Sequence, residues 1–258
     1  MGLRVTVLGR DGSYPGPGGA CSGYLVRGGS GGRNGEVCIW LDAGSGTLAN
    51  LQRHVGLGDI DAIVLSHRHV DHWSDIEGYH VALTYGETAG QVSVPVYAPR
   101  TLRALAEEDA GPPAFVWHDL DGVAEVRIGS LRITGSPTDH PVETYALLVE
   151  DDASPGEEGV RTLCYSADTG PGWSMAEAFP DASIDVALVE ASYSEGHVGA
   201  PVHLTAAQAG AMARSAGASR LLITHLWPTL DPEVSRAEAQ AAYGGPVEVA
   251  EVGATYEL

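Results

Sequence analysis

The alternation of apolar and polar positions changes period repeatedly along this chain. Residues 3–9 (LRVTVLG) alternate and are rich in β-branched side chains, which predicts a strand. A Gly/Pro-rich loop follows at 10–22, then two strands, GYLVRG (23–28) and VCIWLDAG (37–44), joined by the loop GSGGRNG. Helical spacing appears at 46–55, an apolar strand at 59–67 (DIDAIVLSH), and helical spacing again at 72–85. Short strands are predicted at 92–98, 124–130, 131–137 and 144–150, followed by a polar hairpin tip at 151–159 and the segment VRTLCYSADTG at 160–170. The last third alternates strand 184–192, helix 205–217, strand 219–227, helix 231–243 and strand 246–253. No linker-like segment or internal repeat breaks this order. The pattern predicts one α/β domain over residues 1–258, with its strands in two sheets and its helices outside.

Composition narrows the function. At 258 residues and 44% hydrophobic content the chain can bury a sizeable core. No run of 18 apolar residues occurs, and the N-terminal stretch lacks the pattern of a signal peptide, so the expected location is cytoplasmic, away from membranes. The three cysteines, Cys21, Cys38 and Cys164, are odd in number and widely spaced, which argues against a disulfide framework or a cysteine zinc site. Cys38 and Cys164 lie in apolar runs and read as buried thiols. The formal net charge is −20, and all 14 basic residues are arginine. The absence of lysine excludes a Schiff-base lysine and a P-loop. The acidic balance argues against binding long nucleic acid, where affinity rests on cationic contacts to phosphates. A small anionic substrate remains compatible if a metal supplies positive charge locally.

The ten histidines are unevenly placed: three fall in SHRHVDH, with an aspartate among them. In extended backbone His67 and His69 point the same way, and Asp71 and His72 follow where a helix is expected to start. One loop can then present ligands to two adjacent ions of zinc, manganese or iron. An exposed polar loop whose aspartate caps the helix accounts for the same residues. Three further residues sit where an apolar strand meets a loop: His140 in TDHPVE, Asp168 in YSADTG and His225 in LLITHLW. Trp73, Tyr193 and Trp227 adjoin these motifs and read either as packing or as an apolar wall for a nucleobase. Cys21, Ser22 and Gly23 end the flexible loop and are placed to approach a phosphate. His54, His80, His118 and His197 have no motif around them.

SHRHVDH resembles the HxHxDH motif of the metallo-β-lactamase fold, and His140, Asp168 and His225 follow in the order of that family's later ligands. The resemblance implies an αβ/βα sandwich of two mixed β-sheets flanked by helices, with a dinuclear site at the edge between the sheets. It implies His67, His69 and His140 for one ion, Asp71, His72 and His225 for the other, and Asp168 bridging them. Every ligand position is filled, which argues against a degenerate, non-catalytic member.

LVEASYSEGH (188–197) resembles the HEAT-like motif of the ribonuclease Z group, with Glu190 at its glutamate and Val189 in place of its histidine. Residues 203–228 resemble that group's C-terminal segment. The resemblance implies that His203 protonates the leaving oxygen and that Glu190 orients it. On residues alone, His203 reads equally as a surface histidine at a helix start, and Glu190 as a strand-end carboxylate bonded to backbone.

A tRNA-processing member would carry a protruding basic Gly/Pro-rich arm. Here the longer loops, 28–36 and 151–159, are short, and the second is acidic. CSGYLV, DHPVE, SADTG and PVHLTAAQAG make the chain more similar to the compact actinobacterial ribonuclease Z-like proteins that include atypical class II cyclic-AMP phosphodiesterases. The expected protein is a phosphodiesterase with two divalent ions, Zn2+ first and Mn2+ or Fe2+ as alternatives. It would act on cyclic nucleotides or other small phosphodiesters, with Asp71, Glu190 and His203 as the catalytic set and Asp71 a ligand before it is a base. The relatives imply a homodimer. The alternatives are a ribonuclease Z-like endoribonuclease, a thioester or lactam hydrolase of the same fold, and a metal-binding sensor or scaffold.

Overall fold

A computed structural model describes residues 2–87, 89–106, 114–121, 125–152, 159–196 and 201–258. The first half builds one sheet from β1 (Arg4–Gly9), β2 (Gly23–Gly32), β3 (Gly35–Ala43), β4 (Ala62–Val64), β5 (Val94–Ala98) and β6 (Phe115–Asp119), with helices α1 (Thr47–Leu51), α2 (Asp75–Tyr85) and α3 (Arg100–Ala106). The second half builds another from β7 (Val126–Ile128), β8 (Leu131–Pro137), β9 (Tyr145–Asp151), β10 (Arg161–Tyr165), β11 (Val186–Glu190), β12 (Arg220–Thr224) and β13 (Val247–Val249), with α4 (Met175–Ala178), α5 (Ala206–Ser215) and α6 (Pro232–Tyr243). Strand β14 (Thr255–Glu257) returns to pair antiparallel with β1, giving the orders β14-β1-β2-β3-β4-β5-β6 and β13-β12-β11-β10-β9-β8-β7. Each sheet begins with antiparallel hairpins and ends in parallel strands, β3 to β6 and β10 to β13.

Period-two patterning explains the layering. On β12, Leu222 joins a core shared by both sheets, whereas Leu221 and Ile223 face the α5 and α6 side with Ala209, Ala213 and Ala239. On β3, Ile39 and Leu41 enter the shared core, and Trp40 packs outward against Tyr79 of α2 and its neighbours. The result is the expected αβ/βα sandwich. Helix α5 starts where Thr205 and Gln208 form a capping box, and α6 runs from an Asp231 cap and Pro232 to Gly244.

Several boundaries differ from expectation. The strand expected over 59–67 is only Ala62–Val64, because Leu65–His67 turns toward the opposite sheet: His67 bridges Thr144, and the Tyr145 N–H donates to the Ser66 carbonyl at 3.1 Å. The glycine loop at 29–35 is mostly strand, since the Gly29 N–H donates to Asp151 and Ser30 bonds Ser130 across the two sheets, overriding its weak propensity. The expected hairpin tip at 151–159 falls largely outside the described residues, as does His197. Asp71 does not cap α2: it lies in a 3-10 turn over Val70–His72, and Ser74 occupies the cap position. All three cysteines are buried free thiols. Among the described residues, no helix is long and apolar enough to cross a membrane.

Candidate metal centre

The sequence-predicted cluster gathers at the ends of strands from both sheets. Ser66 and His67 follow β4, His140 follows β8, Asp168 follows β10, Glu190 ends β11 and His225 follows β12. His67 Nε2 lies 3.0 Å from His69 Nδ1, which lies 3.1 Å from His140 Nε2. His225 Nε2 lies 3.2 Å from Asp71 Oδ2 and 3.3 Å from His72 Nε2. Asp168 faces both groups: Oδ2 is 3.5 Å from His67 Nε2, and Oδ1 is 3.3 Å from His72 Nε2 and 3.4 Å from His225 Nε2. His67, His69, His140 and Asp168 can therefore hold one cation, and Asp71, His72 and His225 a second, with ligand atoms within 4.8 Å of one another in each set.

Outer partners aim these rings. His72 Nδ1 donates to Asp42 at 2.8 Å and His140 Nδ1 to the Val202 carbonyl at 3.1 Å. His67 and His225 bond serine hydroxyls through Nδ1, at 3.0 and 2.8 Å. Four rings thus turn Nε2 inward, and His69 presents Nδ1. Ligating histidines are commonly fixed by such bonds on the far nitrogen.

Asp42 was missed in the sequence, where it read as part of a strand. It is fully buried and accepts from the Ser66 N–H (2.7 Å) and from the Ser66 hydroxyl, His72 Nδ1 and Tyr165 hydroxyl (each 2.8 Å). Its φ is 53°. Among the described residues the other non-glycine positions of positive φ are Ser13, Ala167 and His225, and each touches or adjoins the cluster. The Ser13 N–H donates to Asp71 Oδ2 at 2.8 Å, and Ala167 precedes Asp168. Unfavourable backbone is concentrated at the site, as is common where geometry is over-determined by function.

The donor set fits a divalent cation. Asp168 Oδ1 is buried and has no hydrogen-bond partner, although two imidazole nitrogens face it. Burial, reinforced by His72, lowers the His67 pKa well below its ordinary value, so this ring is neutral and offers a lone pair. Burial opposes charge on His72, but Asp168, Asp71 and Asp42 outweigh it and raise its pKa well above the usual value. The carboxylates around His72 thus attract positive charge, which a proton supplies when no cation does.

His203 stands beside this cluster. Its Nδ1 is 2.9 Å from Glu190 Oε1 and 3.9 Å from Asp168 Oδ2. Burial opposes its charge, but the hydrogen bond and charge of Glu190, helped by Asp168, push its pKa up to about 9. Asp168, His203 and His225 also have ligand atoms within 4.8 Å of one another. The bond to Glu190 and the raised pKa suit His203 to the proton-donor role that the sequence resemblance implies. A raised pKa keeps the acid form below that value and loses it above. Cleavage of an ester with an alkoxide leaving group should therefore fall as pH rises through about 9. Glu190→Gln should move this limb downward, because it removes the cause of the shift; a limb that stays in place would assign it to another group.

The remaining candidates divide. Tyr193 meets the His203 ring edge-on at 5.6 Å and the Trp227 ring at 5.6 Å, so these two aromatic side chains stand beside His203. Trp73 packs with the outer core of the first sheet, its indole N–H donating to the Arg68 carbonyl at 3.0 Å. Cys21 and Ser22 are buried, and the part of their loop that reaches the cluster is Gly12–Ser13. His118 stacks on Tyr97 and His80 packs near Phe115, consistent with ordinary roles.

Buried imidazoles and carboxylates gathered at the strand ends of an αβ/βα sandwich, and able to bind metal ions, define a metallo-hydrolase of the β-lactamase fold. A family model described as "beta-lactamase superfamily domain" matches residues 38–226, and the chain belongs to that family. It is 34% identical over 267 residues to ML1173 of Mycobacterium leprae (strain TN), covering 99% of this chain and 89% of that one. It is 30% identical over 263 residues to the probable metallo-hydrolase YhfI of Bacillus subtilis (strain 168), covering 99% and 100%. The crystal structure of YhfI, described as a metallo-β-lactamase fold protein, matches with a TM-score of 0.85 at 27% identity, covering 99% of this chain and 98% of that one. The ribonuclease Z of Myxococcus xanthus (strain DK1622) is 26% identical over 311 residues, covering 99% and 98%.

Proposed function

We propose that this chain hydrolyses small phosphodiesters, cyclic nucleotides among them, at a centre of two divalent cations, with zinc the first choice and manganese or iron the alternatives. His67, His69 and His140 would hold one ion, Asp71, His72 and His225 the other, and Asp168 would serve both. The observation that carries this reading is His203, held by Glu190 at 2.9 Å, beside the carboxylate that the two ligand groups share. A thiolate leaves a thioester without a proton, whereas a ribose oxygen leaving phosphorus needs one.

When bound, two such ions supply Lewis-acid charge to phosphoryl oxygens and make water nucleophilic at neutral pH. The protein's own residues do the rest. His203 holds a proton at the leaving-group side, and Glu190 fixes its ring and stabilises its charge. Asp71, bonded to Ser13 and facing His225, acts as a ligand, because a carboxylate committed to a cation is a weak base. Tyr193 and Trp227 offer an apolar wall for a base. A net charge of −20 disfavours long RNA, so the partner is a small anion, and tRNA processing is the second reading because of the ribonuclease Z relative. A homodimer and a cytoplasmic location are part of the same proposal.

A panel of cyclic mononucleotides, bis(p-nitrophenyl) phosphate, a tRNA precursor and a thioester tests this. Turnover of the first two with poor cleavage of the others is expected. Efficient removal of a 3′ trailer from the tRNA precursor, without cyclic nucleotide cleavage, would replace the first reading by the second.

A further inference from the structure

Glu190 is bonded to more than the imidazole it orients. Its Oε1 accepts from the Thr169 N–H and from His203 Nδ1, both at 2.9 Å. Its Oε2 accepts from the Ser192 hydroxyl at 2.7 Å and from the Ser192 N–H at 3.2 Å. The same hydroxyl oxygen lies 2.8 Å from His225 Nδ1. A serine hydroxyl has one proton and an ionised carboxylate has none, so the hydroxyl donates to Glu190 and accepts from His225 Nδ1–H. His225 then carries its proton on Nδ1 and turns the Nε2 lone pair toward Asp71, His72 and Asp168.

A second buried carboxylate repeats this arrangement with different residues. Asp42 accepts from the Ser66 hydroxyl at 2.8 Å and from the Ser66 N–H at 2.7 Å, and that hydroxyl oxygen lies 3.0 Å from His67 Nδ1. Asp42 also accepts directly from His72 Nδ1 at 2.8 Å. Each buried carboxylate therefore takes one imidazole directly and a second through a serine. Asp42 takes His72 and His67, and Glu190 takes His203 and His225. Both serines are buried at 1% exposure or less, so water does not compete for either hydroxyl.

We propose that Ser192 and Ser66 are positioning residues of the metal centre, each holding one ligand histidine in the form that presents Nε2 to a divalent cation. Ser192 further makes Glu190, the partner of the acid, a support of the metal ligand His225. The inference rests on reading the cluster as a metal centre. Without the Ser192 hydroxyl, His225 is free to carry its proton on Nε2, facing the ion held with Asp71 and His72. Without the Ser66 hydroxyl, His67 has the same freedom on the side of His69 and His140.

The test compares wild type, Ser192→Ala, Ser192→Thr and Ser66→Ala, each loaded with Zn2+ and exposed to graded chelator, with retained zinc measured per chain. Each alanine variant should lose one ion at roughly 10–100-fold lower chelator strength than wild type, the usual cost of removing an outer partner of a ligand. Ser192→Thr restores the hydroxyl and should hold both ions like wild type. A second measurement needs no variant: long-range 1H–15N correlation on zinc-loaded wild type should show His225 and His67 protonated at Nδ1. Alanine variants that keep both ions as wild type does, a threonine variant as weak as alanine, or an Nε2-protonated His225 would each overturn the inference. Failure of the broader reading looks different, since wild type itself would then hold no zinc.

Discussion

Asp168→Ala should leave a chain that hydrolyses its substrate roughly 10³-fold more slowly or worse, a loss of about 4 kcal/mol of the several that bound cations contribute to a phosphoryl transition state. The effect is large because Asp168 belongs to both halves of the site. Its two oxygens face His67, His140, His72 and His225 at 3.3 to 3.9 Å, and among the described residues no other carboxylate meets both histidine groups on their inward nitrogens. Burial opposes its ionisation, but His225, His72 and His67 outweigh this and hold its pKa well below the ordinary carboxylate range. The native side chain is therefore charged where two cations would need it. Retained metal and rate should fall together. An alanine variant with full metal content and wild-type rate would remove Asp168 from the bridging role.

His203→Ala should cost roughly 10²–10⁴-fold in kcat for a substrate with an alkoxide leaving group, the range general acid catalysis contributes. The same variant should lose much less with a p-nitrophenyl ester, whose leaving group departs without a proton. Metal content should not change, because His203 Nδ1 is engaged by Glu190 at 2.9 Å and the ring is charged below about pH 9. A variant that loses an ion, or slows both substrates equally, would make His203 a ligand or a structural residue. Its placement with Asp168 and His225 makes that outcome a real competitor.

The candidate ligands were legible because His67, His140, Asp168 and His225 are polar residues just past apolar strands and His69, Asp71 and His72 crowd the turn that follows His67, positions that need no knowledge of the partner strand. The residues that hold them were not. Asp42 sits inside a run that reads as plain strand, and its partners Ser66, His72 and Tyr165 are 24 to 123 residues away. Ser192 is an ordinary residue beside Glu190 until β12 brings His225, 33 positions later, against its hydroxyl. Short or non-periodic elements were lost for a related reason. Strand β14 has three residues, too few to show a period, and forms by pairing with β1 at the far end of the sequence. The glycine-rich end of β2 carries no strand propensity and is held by bonds to Ser130 and Asp151 of the other sheet. Long-range pairing decided these elements, while local pattern decided α5, α6 and the central strands.

Metal-free protein, titrated with Zn2+ or Mn2+ while hydrolysis of bis(p-nitrophenyl) phosphate is followed, gives the most direct measurement. Activity should be negligible without metal and reach its maximum at two ions per chain, with binding lost in mild acid as the ligand histidines protonate. Full activity in the metal-free protein, or a maximum at a single ion with no second ion bound, would contradict a dinuclear centre.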